Sequence, residues 1–453
     1  MSQSLSTAAQ LAKLDKEVLI HPHQDGSRTE RCHIVRASGC TVWDTNGNEI
    51  LDVMGGGNWV AQVGHGRPEL AKAAADQIAT LDYFTSFDVY TSDRTVELAA
   101  RIVGIAPPEV SKVFFTNGGS EGVETAMKAA RLYHHYKGET DRVVFLSRHF
   151  AYHGCTYGSG AATGFPGIHV GIGPGLGNVE RLTLPYEYRA SELYGDVDPT
   201  DFLINELEET IARVGASNIA AMIGEPVMGG GGVLAPPADY WPRVREVLTR
   251  NGILLVADEV VTSYGRTGHW FDSAQRGMKA DIIVTAKGLT SGYSAFGAVL
   301  FSQEIADQVA GDDVYFFHGH TFSGHPVATA IALANLDVIE QDRLLDRVPE
   351  IAAQFTEALA PLAELPRVGD IRVVGATVGV ELVADQGTKV PVMAQGVATE
   401  MRRRHRVIVR DYGPTLVFAP PLVVESGHIE RAAEALHETL TRLDADGQLA
   451  NPA

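Results

Sequence analysis

The sequence predicts an α/β protein: a large domain with a mostly parallel sheet sandwiched by helices, plus a smaller α+β domain assembled from both chain ends. Three observations carry that prediction. The middle of the chain holds five short apolar runs without polar alternation, at 112–116 (KVFFT), 142–147 (RVVFLS), 219–224 (IAAMIG), 253–257 (ILLVA) and 282–286 (IIVTA). Longer stretches of helical spacing lie between many of them. Both ends of the chain have another texture, in which alternation and turn signals replace the continuous runs.

In chain order, residues 30–53 alternate in polarity and carry an Asn46-Gly47 turn signal between apolar runs, the pattern of a β-hairpin. The five central runs fit strands buried on both faces, as in a parallel sheet covered by helices. The spacing predicts helices over 121–136, 202–214 and 240–250. Strand–helix–strand alternation on this scale implies right-handed crossovers and a large domain over 75–325. Residues 154–184 are rich in glycine and lack a period, so they are expected to form a long loop over the sheet edge. Beyond the core, 327–361 is helical in spacing, 366–383 and 406–418 read as short strands, and 426–443 as a final amphipathic helix. Residues 1–74 and 326–453 are therefore assigned to the small domain. No internal repeat or low-complexity tract interrupts this plan.

Composition bounds the function. At 453 residues the chain is long enough for two or three domains, taking roughly 150 residues each. Hydrophobic residues make up 45% and charged residues 21%, which excludes a largely disordered chain. The 37 basic residues face 56 acidic ones, and a net charge of −19 repels phosphate backbones and anionic lipid. Nucleic acid and membrane are thus not expected as partners. No apolar run approaches the roughly 18–20 residues of a spanning helix. Residues 1–10 lack the basic and apolar regions of a secretion signal, and Cys32, Cys40 and Cys155 form neither a CxxC pair nor a disulfide framework. A cytoplasmic globular protein is expected.

Three motifs bear chemistry. Residues 116–121 (TNGGSE) follow a strand and open a helix, with Ser120 at the expected N-cap. Glycines allow close approach, and the free N–H groups of a helix start favour a phosphate, although a plain capped turn reads the same way. The motif matches neither GxxxxGK[ST] nor GxGxxG, so nucleoside triphosphate and dinucleotide sites are disfavoured. Asp258 ends the ILLVA run, where open α/β sheets bind ligands, although a helix cap or a metal ligand would read alike. Lys287 follows IIVTA, where desolvation would lower its pKa and make it a nucleophile toward a carbonyl, unless it snorkels. Together they place a phosphate cradle, a carboxylate and a reactive amine at the C-terminal ends of strands. Pyridoxal 5'-phosphate demands that set: backbone donors for its phosphate, a lysine for its aldehyde, and a carboxylate for its ring nitrogen.

At these residues the sequence resembles the class III aminotransferases of the type I pyridoxal-phosphate fold. The matching stretches are GGSEGVETAMKAAR (118–131), AYHG (151–154), EPVMGGGG (225–232), ADEVVTSYGRTG (257–268), TAKGLTSGY (285–293) and GHTFSGHP (319–326). They run in order over most of the chain, and the interval from Asp258 to Lys287 suits the family. Gly118 departs from the pattern, since many members carry serine there; donation from Gly119 and Ser120 is expected to survive it. The resemblance implies that Tyr152 and Val260 clamp opposite faces of the cofactor ring, and that Lys287 is the catalytic amine. Thr321 would bond the phosphate in the neighbouring subunit of a homodimer with its active sites at the interface. His153 either partners Asp258 or is merely a polar turn residue. His318, His320 and His325 lack suitably interleaved acidic or sulfur ligands, so no metal is expected.

On the substrate side, the family likeness implies that Arg410 receives a carboxylate and that Trp59 forms an aromatic wall. Tyr83, Phe84 and Phe87 would line the same pocket or else belong to plain core. Glu225, fixed as extended by Pro226, would pair with Arg410 or shape the glycine loop. The implied activity is ping-pong transfer of an amino group from an amine or ω-amino acid to pyruvate or 2-oxoglutarate. A decarboxylase or aminomutase on the same scaffold, and a non-catalytic cofactor-binding protein, are the alternatives. A nicotinamide oxidoreductase is disfavoured by the missing dinucleotide fingerprint.

Overall fold

The computed structural model describes residues 7–23, 30–171 and 177–450. The chain opens with a surface helix, Ala8–Val18, closed at its start by a reciprocal capping box between Thr7 and Gln10. Strands β1 (Ile34–Ser38), β2 (Thr41–Asp44) and β3 (Glu49–Asp52) form an antiparallel meander. The expected hairpin lies between β2 and β3, where Gly47 adopts φ +79° and Asp44 accepts the N–H groups of Asn46 and Asn48.

The central sheet contains β4 (Val110–Thr116), β5 (Val144–Arg148), β6 (Val179–Leu182), β7 (Ile219–Gly224), β8 (Leu254–Asp258), β9 (Ile282–Thr285) and β10 (Gly297–Ser302). Their spatial order is β4-β10-β9-β8-β7-β5-β6. All neighbouring pairs are parallel except the two made by β10, which runs antiparallel to β4 and β9. Every residue of β7, β8 and β9 is buried, which is why these strands read as unbroken apolar runs. Helices Gly119–Tyr136, Pro199–Val214 and Tyr240–Arg250 cover the sheet and agree with the spacing.

Two expectations are corrected. Residues 154–184 are not one long loop: they contain the helix Tyr157–Ala162, a short 3-10 turn at Pro166–His169 and the edge strand β6, while 172–176 lie outside the described residues. Small residues hide that helix from any periodicity, yet Thr156 caps it and the Ser147 hydroxyl donates to Ala162 O, tying it to β5. Strand β6 is short and carries Glu180 and Arg181, as an exposed edge tolerates. Ser120 is not the N-cap either. Gly118 holds that position in extended backbone, and Ser120 lies one residue inside the helix, where its hydroxyl accepts the N–H of Cys155.

Towards the C-terminus the expected helical region divides into Pro326–Gln341 and Leu344–Leu359, broken where Arg343 turns left-handed at φ +52°. The first of these packs on helices Pro68–Thr80 and Asp93–Ile105. Strands β11 (Val368–Val374) and β12 (Thr377–Leu382) form a hairpin. After them β13 (Val407–Ile408) joins β3 in parallel, so a strand from one chain end completes the sheet of the other. β14 (Arg410–Tyr412) and β15 (Thr415–Phe418) complete the β11–β12 sheet, and the helix Ser426–Leu440 packs on Leu344–Leu359. In the central sheet the C-terminal ends of β5, β7, β8 and β9 open toward one edge, to which β4 also delivers the start of helix Gly119–Tyr136.

Candidate active site

At that edge, Asp258 is the last residue of β8 and is buried. Its Oδ2 accepts from His153 Nδ1 at 2.7 Å, and its Oδ1 accepts the N–H of Val260 at 3.1 Å. His153 is buried too, its backbone N–H donating to Thr163 Oγ1, and its Nε2 has no hydrogen-bond partner among the described residues. A carboxylate held this way is rigid and desolvated, and of the two readings of His153 the geometry selects the partner of Asp258.

Lys287 follows β9 and opens the short helix Lys287–Leu289. Its Nζ lies 5.0 Å from the centroid of the Trp59 ring. Burial pushes the lysine amine down to about 8, with Asp258 and then Glu225 opposing the shift. An amine so tuned is a base and a nucleophile under mild conditions.

The first turn of helix Gly119–Tyr136 supplies N–H groups with no intrahelical acceptor. The approach is tight on both sides. A Cβ on Gly119 would meet Val260 Cγ2 at 2.9 Å, and one on Gly154 would meet Ser120 Oγ at 2.7 Å. Gly119, Ser120 and Val260 therefore share one cradle. Tyr152 is 36% exposed, edge-on to Phe165 at 6.3 Å, and its N–H donates to Glu225 Oε1.

Glu225 does not pair with Arg410. Its Oε2 accepts the N–H of Gly229, its backbone carbonyl accepts from Arg148 Nη2, and burial raises its carboxyl above the usual range. Its carboxylate shapes the glycine loop because the N–H groups of Tyr152 and Gly229 lie closer to it than any cation. Arg410 Nη1 donates instead to neutral oxygens, Gly57 O at 3.1 Å and Asn58 Oδ1 at 3.2 Å. Trp59 is buried at φ +58°, 5.1 Å from the Tyr412 ring, which also receives the Arg410 guanidinium. Tyr412 thus belongs to the aromatic wall, and nothing in the spacing identified it.

The remaining expected residues gather elsewhere. Thr321 is exposed, and its carbonyl accepts from Tyr83 Oη at 2.8 Å. The Phe87 ring lies against Gly319, and Tyr83 meets Phe322 edge-on. Among the described residues, no hydrogen bond, ion pair or ring contact joins Thr321 or Phe87 to Lys287 or Asp258. Nearby, His318 donates to or accepts from Thr125 at 2.8 Å and lies 3.4 Å from Lys128, with burial pushing it down to about 4. A neutral imidazole between an alcohol and an ammonium is a structural link.

The residues at the sheet edge fit pyridoxal phosphate. They offer an amine beside a buried histidine-backed carboxylate, and helix-start donors where two glycines leave no room for side chains. The family model for class III aminotransferases matches residues 23–440. The putrescine–pyruvate aminotransferase of Pseudomonas aeruginosa is 37% identical over 404 residues, covering 88% of each chain. The (S)-enantioselective ω-transaminase of Thermomicrobium roseum superposes with a TM-score of 0.91 at 40% identity, over 96% of this chain and 98% of its own. An amine transaminase from an uncultivated Pseudomonas species, described as PLP-bound, gives a TM-score of 0.90 at 39% identity, over 94% and 98%.

Proposed function

The chain belongs to the class III aminotransferase family, and on that premise we propose how its own residues carry out the reaction. The enzyme transfers an amino group from an amine to a keto acid on the type I fold, with pyridoxal 5'-phosphate as cofactor. When bound, the cofactor supplies an aldehyde for the amino group and a protonated ring that accepts electron density from the substrate carbon. Asp258, oriented by His153, keeps that ring protonated. Gly119 and Ser120 would hold the phosphate, with Tyr152 and Val260 flanking the ring. Lys287 is the catalytic amine, whose Nζ would take up and return the substrate proton, a task suited to a base tuned to about 8.

Trp59, Tyr152 and Glu225 line the substrate side. Arg410, bonded to neutral oxygens, is available to exchange them for a carboxylate, to which its fork is the stronger match. That choice suits a pocket that takes an amine in one half-reaction and a keto acid in the other. In line with the name of the Pseudomonas aeruginosa relative, we take pyruvate as the acceptor and an aliphatic ω-amine as the donor.

A homodimer completes the reading, with Thr321 and Phe87 serving the partner's site. Supporting it are their separation from Lys287 and the exposed aromatic residues around them, Phe84, Phe317 and Phe322. Residues 75–325 would form the large cofactor domain, with 1–74 and 326–453 in the small one. The three cysteines are free and suit the reducing cytoplasm, and no described helix is long and apolar enough to cross a membrane.

The observation that carries the proposal is Lys287 at a strand end beside the His153–Asp258 pair. Borohydride reduction of the purified yellow protein, followed by peptide mapping, is expected to label Lys287. A label on another lysine, or protein that never takes up the cofactor, would falsify the assignment. A donor panel with pyruvate and with 2-oxoglutarate decides the acceptor.

A further inference from the structure

The turn that carries Lys287 is gripped from two sides by buried amides that the chemistry described above leaves unused. Lys287 sits at φ +29°, a setting that residues with side chains seldom hold without support. Gly288 follows, and a Cβ there would overlap the carboxamide of Gln62. Gln62 is 0% exposed, and its Nε2 donates at 2.9 Å to Ser263 O, in the turn that follows β8 and Asp258. It therefore spans the two turns that carry the carboxylate and the amine.

On the other side stands Asn335 of helix Pro326–Gln341, also 0% exposed. Its Nδ2 donates to Gly288 O at 2.9 Å and to Leu289 O at 3.1 Å. Among the described residues, neither Gln62 Oε1 nor Asn335 Oδ1 has a hydrogen-bond partner. Buried unpaired acceptors are costly, and an apolar residue of similar shape would avoid that cost. Stability alone therefore does not account for either amide. What they share is the Lys287–Gly288 segment.

We propose that Gln62 and Asn335 are positioning residues that clamp the Lys287–Gly288 peptide and so present the lysine amine to the cofactor. The proposal rests on the assignment of Lys287 above and adds two residues to it. Its consequence is kinetic: the clamp governs bond formation by the lysine more than binding of the cofactor.

The test uses the full-length chain freed of cofactor. Growth of the near-visible band after adding pyridoxal phosphate reads covalent capture, whereas pyridoxamine phosphate, which has no aldehyde, reads the pocket without the lysine. For Gln62→Met and Asn335→Leu we expect capture to slow about tenfold, in proportion to a displacement well under 1 Å, with pyridoxamine phosphate affinity unchanged. The reloaded variants should show lower kcat at unchanged KM for the amine. Gly288→Ala, whose methyl would displace the Gln62 carboxamide, should behave alike. Parallel weakening of both cofactor forms, or unchanged capture, would overturn the clamp and leave the amides as packing. Capture by Lys287→Ala would instead sink the lysine assignment itself.

Discussion

An amine pushed by burial from 10.5 down to about 8 leaves a mark on stability as well as on reactivity. In the cofactor-free chain the unfolded lysine stays protonated up to its ordinary pKa, whereas the folded one loses its proton near 8. Between those values the unfolded state binds more protons, so stability rises with pH; below 8 the full cost of the buried charge is present. Thermal unfolding of the cofactor-free protein from pH 8 to 10 should therefore climb more steeply than that of Lys287→Met, and parallel curves would contradict the buried-amine picture. At Asp258 the expectation is catalytic. Asp258→Asn keeps the shape beside His153 but removes the charge, and kcat should fall by about 10²–10³, the scale of one preorganised electrostatic group. These two residues were legible in the sequence because each ends an unbroken apolar run. Asn335 was legible in principle, as the one amide in the apolar stretch AIALANLDVI, whereas Gln62 gave no sign, because its meaning lies in Gly288, far along the chain.

At the scale of elements, the turn Gly55–Trp59 shows how a wall of the site is built. Three consecutive glycines at positive φ let the chain coil back after β3, and buried Asp52 holds the coil. Its carboxylate accepts the N–H of Met54 at 2.9 Å and of Gly56 at 2.6 Å, and pairs with His65 Nε2 at 3.0 Å. Asp52→Ala would strand those donors, so a loss of about 1–3 kcal/mol is expected. Denaturant unfolding measures it, and the Trp59 emission should shift as the ring loses its fixed seat over Lys287. Five of the seven strands of the central sheet and the helices Gly119–Tyr136, Pro199–Val214 and Tyr240–Arg250 were readable because burial on both faces, or on one stripe, writes a period into the sequence; the buried strand β10 and the helices Pro68–Thr80 and Asp93–Ile105 were not singled out. The helix Tyr157–Ala162 and strand β6 were not, since five small residues and a four-residue charged edge write none.

On the scale of the whole molecule, the expected site residues fall into two groups, one around Lys287 and one around Thr321. If the second serves a partner subunit, Lys287→Ala and Thr321→Val, each impaired alone, should complement when unfolded together and refolded as hybrids. One site of each hybrid then has both residues intact. No recovery of amino transfer in the hybrid would show that Thr321 works within its own chain. Sedimentation of Phe317→Glu, which puts a charge on a side chain 87% exposed in the single chain, should report loss of the dimer. By itself the sequence determined five of the seven central strands and marked the positions of Lys287, Asp258 and residues 116–121, because each is a local pattern: an apolar run with a polar residue at its end. Only the tertiary structure decided that Glu225 serves the glycine loop and not Arg410, that His153 backs Asp258, and that Gln62 and Asn335 meet at Gly288. Those are contacts between residues distant along the chain, and which of several willing donors a buried acceptor takes is settled by proximity after folding.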